Sequence, residues 1–117
     1  MRLACVAALC GAAPLAAQAI EPGTWPGSIH FAEGDSTLAT FQVSHESRRT
    51  MIDVTAANGS TWTMGNVRAD STRLRFSWAI DGPEAMQCEL SRRSAVYWEG
   101  HCARRPDRVL VALRRDG

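Results

Sequence analysis

The chain has 117 residues, 45% of them apolar and 21% charged, with 13 basic residues against 12 acidic ones and a formal net charge of +1. So even a balance argues against nucleic acid as the main partner, because binding phosphates takes a concentrated positive surface. The size suits a single domain with a modest core.

The first element is a leader. Met1-Arg2 gives a short positive start, Leu3 to Ala17 is uncharged and mostly apolar, and Ala17-Gln18-Ala19 has the small-x-small form of a cleavage site. The run falls short of the roughly 20 apolar residues a membrane span requires, and Gly11 and Pro14 interrupt it. Residues 1–19 therefore read as a signal peptide. Residues 20–117 are left as one exported domain, secreted or periplasmic, with no stable membrane span. Lipidation at Cys10 is disfavoured, since Leu9 stands where a lipoprotein signal places a small residue.

Eight short β-type runs follow: Thr24–Ala32, Ser36–His45, Arg49–Ala56, Ser60–Val67, Thr72–Ile80, Met86–Ser91, Ala95–Cys102 and Arg108–Arg114. Turn residues divide them, and no helical period intervenes. Asn58-Gly59 is the strongest hairpin signal, as both residues tolerate the positive φ of a type I′ turn. Pairing the first two strands about Gly34 places His30 opposite Leu38. Alternation is clearest in the fifth run, where Leu74, Phe76, Trp78 and Ile80 interleave with Arg73, Arg75, Ser77 and Ala79. Only a strand sends every second side chain to one face. The expected fold is all-β: an antiparallel up-and-down meander of about eight strands, forming a small barrel or a strongly curved sheet.

Cys5 and Cys10 leave with the leader, so the domain keeps Cys88 and Cys102. An even count in a small exported chain predicts one disulfide. Closing a loop of about 15 residues contributes about 3 kcal/mol in the loop-entropy model. Both cysteines have even numbers, so an odd-length connection or a bulge must join their strands if the two sulfurs share a face. A three- to five-residue connection around Arg93–Ala95 is expected.

Gly23-Thr24-Trp25 opening the first strand, with Arg114 closing the last, resembles the lipocalin or calycin pattern. That resemblance implies a barrel in which this Trp and Arg pack together at the closed end. Trp25-Pro26-Gly27, Leu74-Arg75-Phe76, Tyr97-Trp98-Glu99-Gly100 and Leu110 to Arg114 are also similar to a small β module found beside exported bacterial α/β-hydrolase domains. Such modules are accessory, so the resemblance implies a fold and no catalysis; Gly-x-Ser-x-Gly is absent.

No catalytic residue is assigned. Ser44-His45-Glu46 cannot act as a triad, because strand neighbours point to opposite faces. Glu99 and His101 share a face and form a minor candidate for acid–base or metal chemistry. Asp53 alternates with Ile52 and Val54 and is expected to face water. The three histidines are scattered, no zinc-like ligand set appears, and no cofactor is expected. The arginines crowd after Cys88, leaving a basic edge.

The remaining feature is aromatic. Trp25, Phe41, Trp62, Phe76, Trp78, Tyr97 and Trp98 form either a core of large rings or the lining of a site for a small apolar ligand. Tyr97 and Trp98 are consecutive, so one ring must point outward and can anchor an exported protein partner. The expected function is that of a non-enzymatic binding protein. The alternative is an accessory subunit or inhibitor of an exported hydrolase.

Overall fold

The computed structural model describes residues 19–31, 34–79, 84–104 and 107–115. Apart from Ala19, the predicted leader lies outside the described residues, as does the Ile80 end of the fifth predicted run. Nine antiparallel strands make one sheet: β1 (Gly23–His30), β2 (Ser36–Glu46), β3 (Arg49–Ala56), β4 (Thr61–Thr63), β5 (Gly65–Ala69), β6 (Arg73–Trp78), β7 (Met86–Ser94), β8 (Tyr97–Arg104) and β9 (Asp107–Arg114). The strand order is β4-β3-β2-β1-β9-β8-β7-β6-β5. The first and last long strands pair through Ile29 and Val111, so the meander curls into a nearly closed barrel. Among the described residues there is no helix.

Alternation decides what fills the interior. Trp25, Phe41, Val54, Leu74, Phe76, Trp78, Leu90, Trp98 and Leu113 are all within 2% of complete burial, and no polar or charged described residue is buried with them. Fully burying each large side chain contributes about 1.5–3 kcal/mol. Glycine makes room where rings lie against backbone. A Cβ at Gly27 would stand 2.7 Å from the Phe41 ring, and one at Gly100 would collide with the Glu89 carbonyl. These positions accept only hydrogen, which lets the sheet bend tightly enough to close.

The predicted fourth strand, Ser60–Val67, is two segments. Trp62 and Met64 face inward, and then Val67 and Ala69 do, so the inward parity switches from even to odd. A bulge between Gly65 and Arg68, with Asn66 at φ 48°, absorbs the extra residue. β4 pairs with β3 while β5 pairs with β6, so the barrel's seam lies at this bend. Met64 N donates to the Ile52 carbonyl at 2.9 Å, bridging the two segments to β3. Uniform β-type composition hides such a kink, because the bulge changes parity without changing residue type.

Three turn details also differ from expectation. The β1–β2 loop is centred on residue 33, with Phe31 N bonded to the Asp35 carbonyl, so His30 opposes Ser36 and Leu38 opposes Ser28. At Asn58-Gly59 only Gly59 has positive φ, 93°, and Ala56 N bonds the Ser60 carbonyl across a three-residue loop. The two consecutive left-handed residues are Ser47 and Arg48, at φ 49° and 68°, in the two-residue β2–β3 turn. Neither residue of that turn is glycine, although both hold the left-handed φ that glycine adopts most readily.

Cys88 and Cys102 are directly opposed on β7 and β8 and form the disulfide, with Cα atoms 3.9 Å apart. A bulge between Arg92 and Ser94 supplies the parity correction their even numbers require. The connection itself is the two-residue turn Ala95-Val96, shorter than expected because the bulge takes up the odd residue inside the strand.

Candidate functional site

The barrel's two ends differ. Tight turns join β2 to β3, β5 to β6, and β7 to β8 at the end where β1 begins. This end is plugged. Ile20 is 1% exposed, and its carbonyl takes a hydrogen bond from His45 Nε2 at 2.8 Å. A carbonyl only accepts, so Nε2 carries the ring proton, and in the neutral ring Nδ1 accepts from Thr50 Oγ1 at 2.9 Å. Trp25 Nε1 donates to the Glu21 carbonyl at 2.9 Å. The Arg115 guanidinium lies 4.9 Å from the Trp25 ring centroid, and its Nη1 is 3.5 Å from Glu21 Oε1. The arginine that packs on Trp25 is therefore Arg115, and the Arg114 of the expected pattern is not. Leu113 points inward, so Arg114 must point out, and Arg115 turns beneath the floor just past the end of β9.

The opposite end holds Trp62 on β4, Trp78 at the close of β6, and Met86 at the start of β7. Trp78 reaches across the interior to meet Phe41 edge-on at 6.2 Å, and Trp62 meets it edge-on at 5.5 Å. Such contacts place a ring's positive edge on its neighbour's negative face. Trp62 is half-buried at the seam and forms the outer member of this stack. Trp78 is 1% exposed, yet among the described residues its Nε1 has no hydrogen-bond partner. An indole N–H held this way among apolar groups costs about 1–3 kcal/mol. Buried donors normally meet a protein group, a water or a ligand.

Of the seven aromatic residues singled out from the sequence, the structure brings Phe41, Trp62 and Trp78 together. Phe76 lies across from Cys88 beside the disulfide, and Trp98 opposes Leu113 toward the plugged end. Trp25 belongs to the plug. Tyr97 is outside the barrel altogether, since Trp98 takes the inward position.

On the outer wall, Tyr97 Oη donates to Glu99 Oε2 at 2.6 Å, and Arg93 Nε lies 3.1 Å from Glu99 Oε1. The Tyr97 hydroxyl, with help from Arg93, holds the Glu99 carboxyl below its ordinary range. The same hydrogen bond raises the Tyr97 hydroxyl, because ionising it would surrender the donor. Arg114 stacks on the Tyr97 ring at 4.3 Å. Glu99 is thus committed to Tyr97 and Arg93, while His101 opposes Glu89 on one side and Leu110 on the other. Both residues border one outer hollow, with the Glu99 carboxylate already held by Tyr97 and Arg93. Asp53 faces outward and accepts from Thr63 Oγ1 at 2.8 Å. Among the described residues, no three His, Cys, Asp or Glu side chains group as metal ligands.

Sequence reasoning missed Arg115, Ile20 and the solitary Trp78 N–H. The first two follow from chain direction at the ends of β1 and β9, which strand periodicity does not encode. The third depends on what surrounds one nitrogen.

No family model matches the chain, and no curated protein does. Solved structures share its fold. A redesigned β-barrel, b11L5F_LGL, is 17% identical with a TM-score of 0.61, covering 88% of this chain and 96% of that one. A redesigned β-barrel, mFAP1, bound to DFHBI, is 15% identical with a TM-score of 0.61, covering 88% and 100%. EF1p2_mFAP2b bound to DFHBI is 16% identical with a TM-score of 0.59, covering 86% and 97%. At such identities the likeness is one of fold: a small antiparallel β-barrel.

Proposed function

We propose that the chain is a small-ligand-binding barrel whose ligand packs against Trp62 and Trp78, at the end opposite the Ile20 plug, and accepts a hydrogen bond from Trp78 Nε1. The observation that carries this reading is an indole N–H with no partner among the described residues, fully buried beneath a half-buried tryptophan at the seam. The ligand's chemistry follows from the site: a flat apolar body to lie against rings, with a carbonyl or ether oxygen to meet one donor. Similar barrels bound to DFHBI support the reading, since they hold a small ligand on the same fold.

Export belongs to the same proposal. The Met1 to Ala19 pattern supports it. So does the Cys88–Cys102 disulfide, of a kind that persists in oxidising compartments. An accessory role beside an exported hydrolase rests on the Trp25-Pro26-Gly27 and Leu74-Arg75-Phe76 pattern alone.

Native mass spectrometry of protein purified from its own host tests the ligand directly. A retained species of a few hundred daltons, lost from the Trp78→Phe variant, is the expected result. Mass equal to the bare chain, together with no response of the Trp62 and Trp78 fluorescence to aromatic ketones, would overturn the reading.

A further inference from the structure

A second surface lies outside the barrel and owes nothing to the interior reading. Ser28 and Ala112 oppose each other across β1 and β9 on the outer wall. Both side chains are small, so their longer neighbours stand around them as walls. Two adjoining hollows of about 450 Å³ each share Ser28, Tyr97 and Ala112. Leu38 borders one and Leu110 the other, and they are 70% and 51% exposed. Large apolar side chains this open, placed round a common hollow, mark a recognition surface more than a solvated wall.

The form of recognition follows from the pairing. β1 is bonded to β2 and β9, and β9 to β8, so a partner cannot add a strand here. It must bind through side chains. Charge narrows its chemistry. Arg93 and Arg114 line the hollow, while the Glu99 carboxylate is already engaged by Tyr97 and Arg93. Arg108 is exposed two residues from Leu110 on the same face of β9. His30 and His101 complete the rim. Among the described residues, Arg93, Arg108 and Arg114 outnumber the hollow's one carboxylate, Glu99, which Tyr97 and Arg93 already engage.

We infer that this hollow docks a partner protein presenting an apolar side chain flanked by carboxylates. The apolar group would sit over Ser28 and Ala112 between Leu38 and Leu110, with the carboxylates meeting Arg93 and Arg114. Tyr97, braced by Glu99 and Arg114, supplies a rigid aromatic wall of the kind that anchors interfaces.

Three peptides test this by titration into the 15N-labelled protein: one leucine among glutamates, the same peptide with alanine for leucine, and the same with lysines for glutamates. The first is expected to shift the amides of Ser28, Leu38, Leu110 and Ala112. The alanine form should bind at least tenfold more weakly, and the lysine form should leave these amides unmoved. Ala112→Gln fills the floor and should abolish the shifts without altering any response at Trp78. Should it fail to fold, Leu38→Ser removes a wall and should weaken binding several-fold. Equal shifts with the lysine peptide, shifts confined to other strands, or none at millimolar peptide would overturn the inference. So would a concentration-dependent dimer that Ala112→Gln dissolves, because the occupant would then be a second copy of the chain.

Discussion

Trp25 and Trp78 are the same residue at the same depth, 0% and 1% exposed, and they end the barrel in opposite ways. The Trp25 indole is finished: its N–H meets the Glu21 carbonyl, and Arg115 covers its face. The Trp78 indole has rings on two sides and, among the described residues, no partner for its nitrogen. Burial alone therefore does not separate a structural tryptophan from a binding one. The state of the indole N–H does. A satisfied donor closes an end, whereas an unsatisfied one is a standing cost that a bound acceptor removes.

The largest expected effect treats the two alike. Trp25→Ala and Trp78→Ala should each destabilise the domain by about 3–5 kcal/mol in urea unfolding, as for other buried aromatics. A much smaller loss at Trp78, with the fold intact, would show that its site is looser than its burial implies. Next is the crosslink. Cys88→Ala combined with Cys102→Ala should cost about 3 kcal/mol for a loop of this length. Because the disulfide belongs to neither end, ligand affinity measured after correction for stability should not change.

The comparison itself is broken or sharpened by Trp→Phe. Trp25→Phe removes a made hydrogen bond and a cation–π contact, and Trp78→Phe removes a donor that has no partner. The first should therefore be the more destabilising by about 1–2 kcal/mol, read from paired denaturation curves. Equal losses would mean that the Trp78 nitrogen is satisfied in solution.

The smallest effect is acid-dependent and serves as an outer-wall control. The folded Glu99 carboxyl titrates below its unfolded value, so its contribution is present above the unfolded pKa and is lost as pH falls through the folded one. Asp70 behaves likewise, held low by the backbone N–H groups of Thr72 and Arg73 in the β5–β6 turn. Both groups are exposed, so the change should be slight. Glu99→Gln should flatten part of the acid limb of thermal stability, and an unchanged limb would deny the Tyr97–Glu99 bond.

Much of the fold was legible in the chain because strand alternation is written directly into residue type. Leu74, Phe76 and Trp78 inward against Arg73 and Arg75 outward is what the structure has. The shared face of Cys88 and Cys102 followed from the expected disulfide, and their even numbers left an odd-length connection or a bulge, of which the structure has the bulge. What was not legible lies where parity breaks or the chain leaves the ladder. The Asn66 bulge splits one expected strand, and Arg115 rather than Arg114 turns under Trp25. The aromatic set was legible as a set but not as a site. Its division into plug, core, seam stack and outer wall depends on which end of the barrel each strand position reaches.

The account stands most directly on the indole region of a 1H–15N spectrum, recorded while DFHBI and simple aromatic ketones are titrated in. The Trp78 indole resonance should move downfield with the Trp62 resonance following, while those of Trp25 and Trp98 stay in place. Movement of Trp25 instead, or four unmoved indoles at saturating probe, would contradict it.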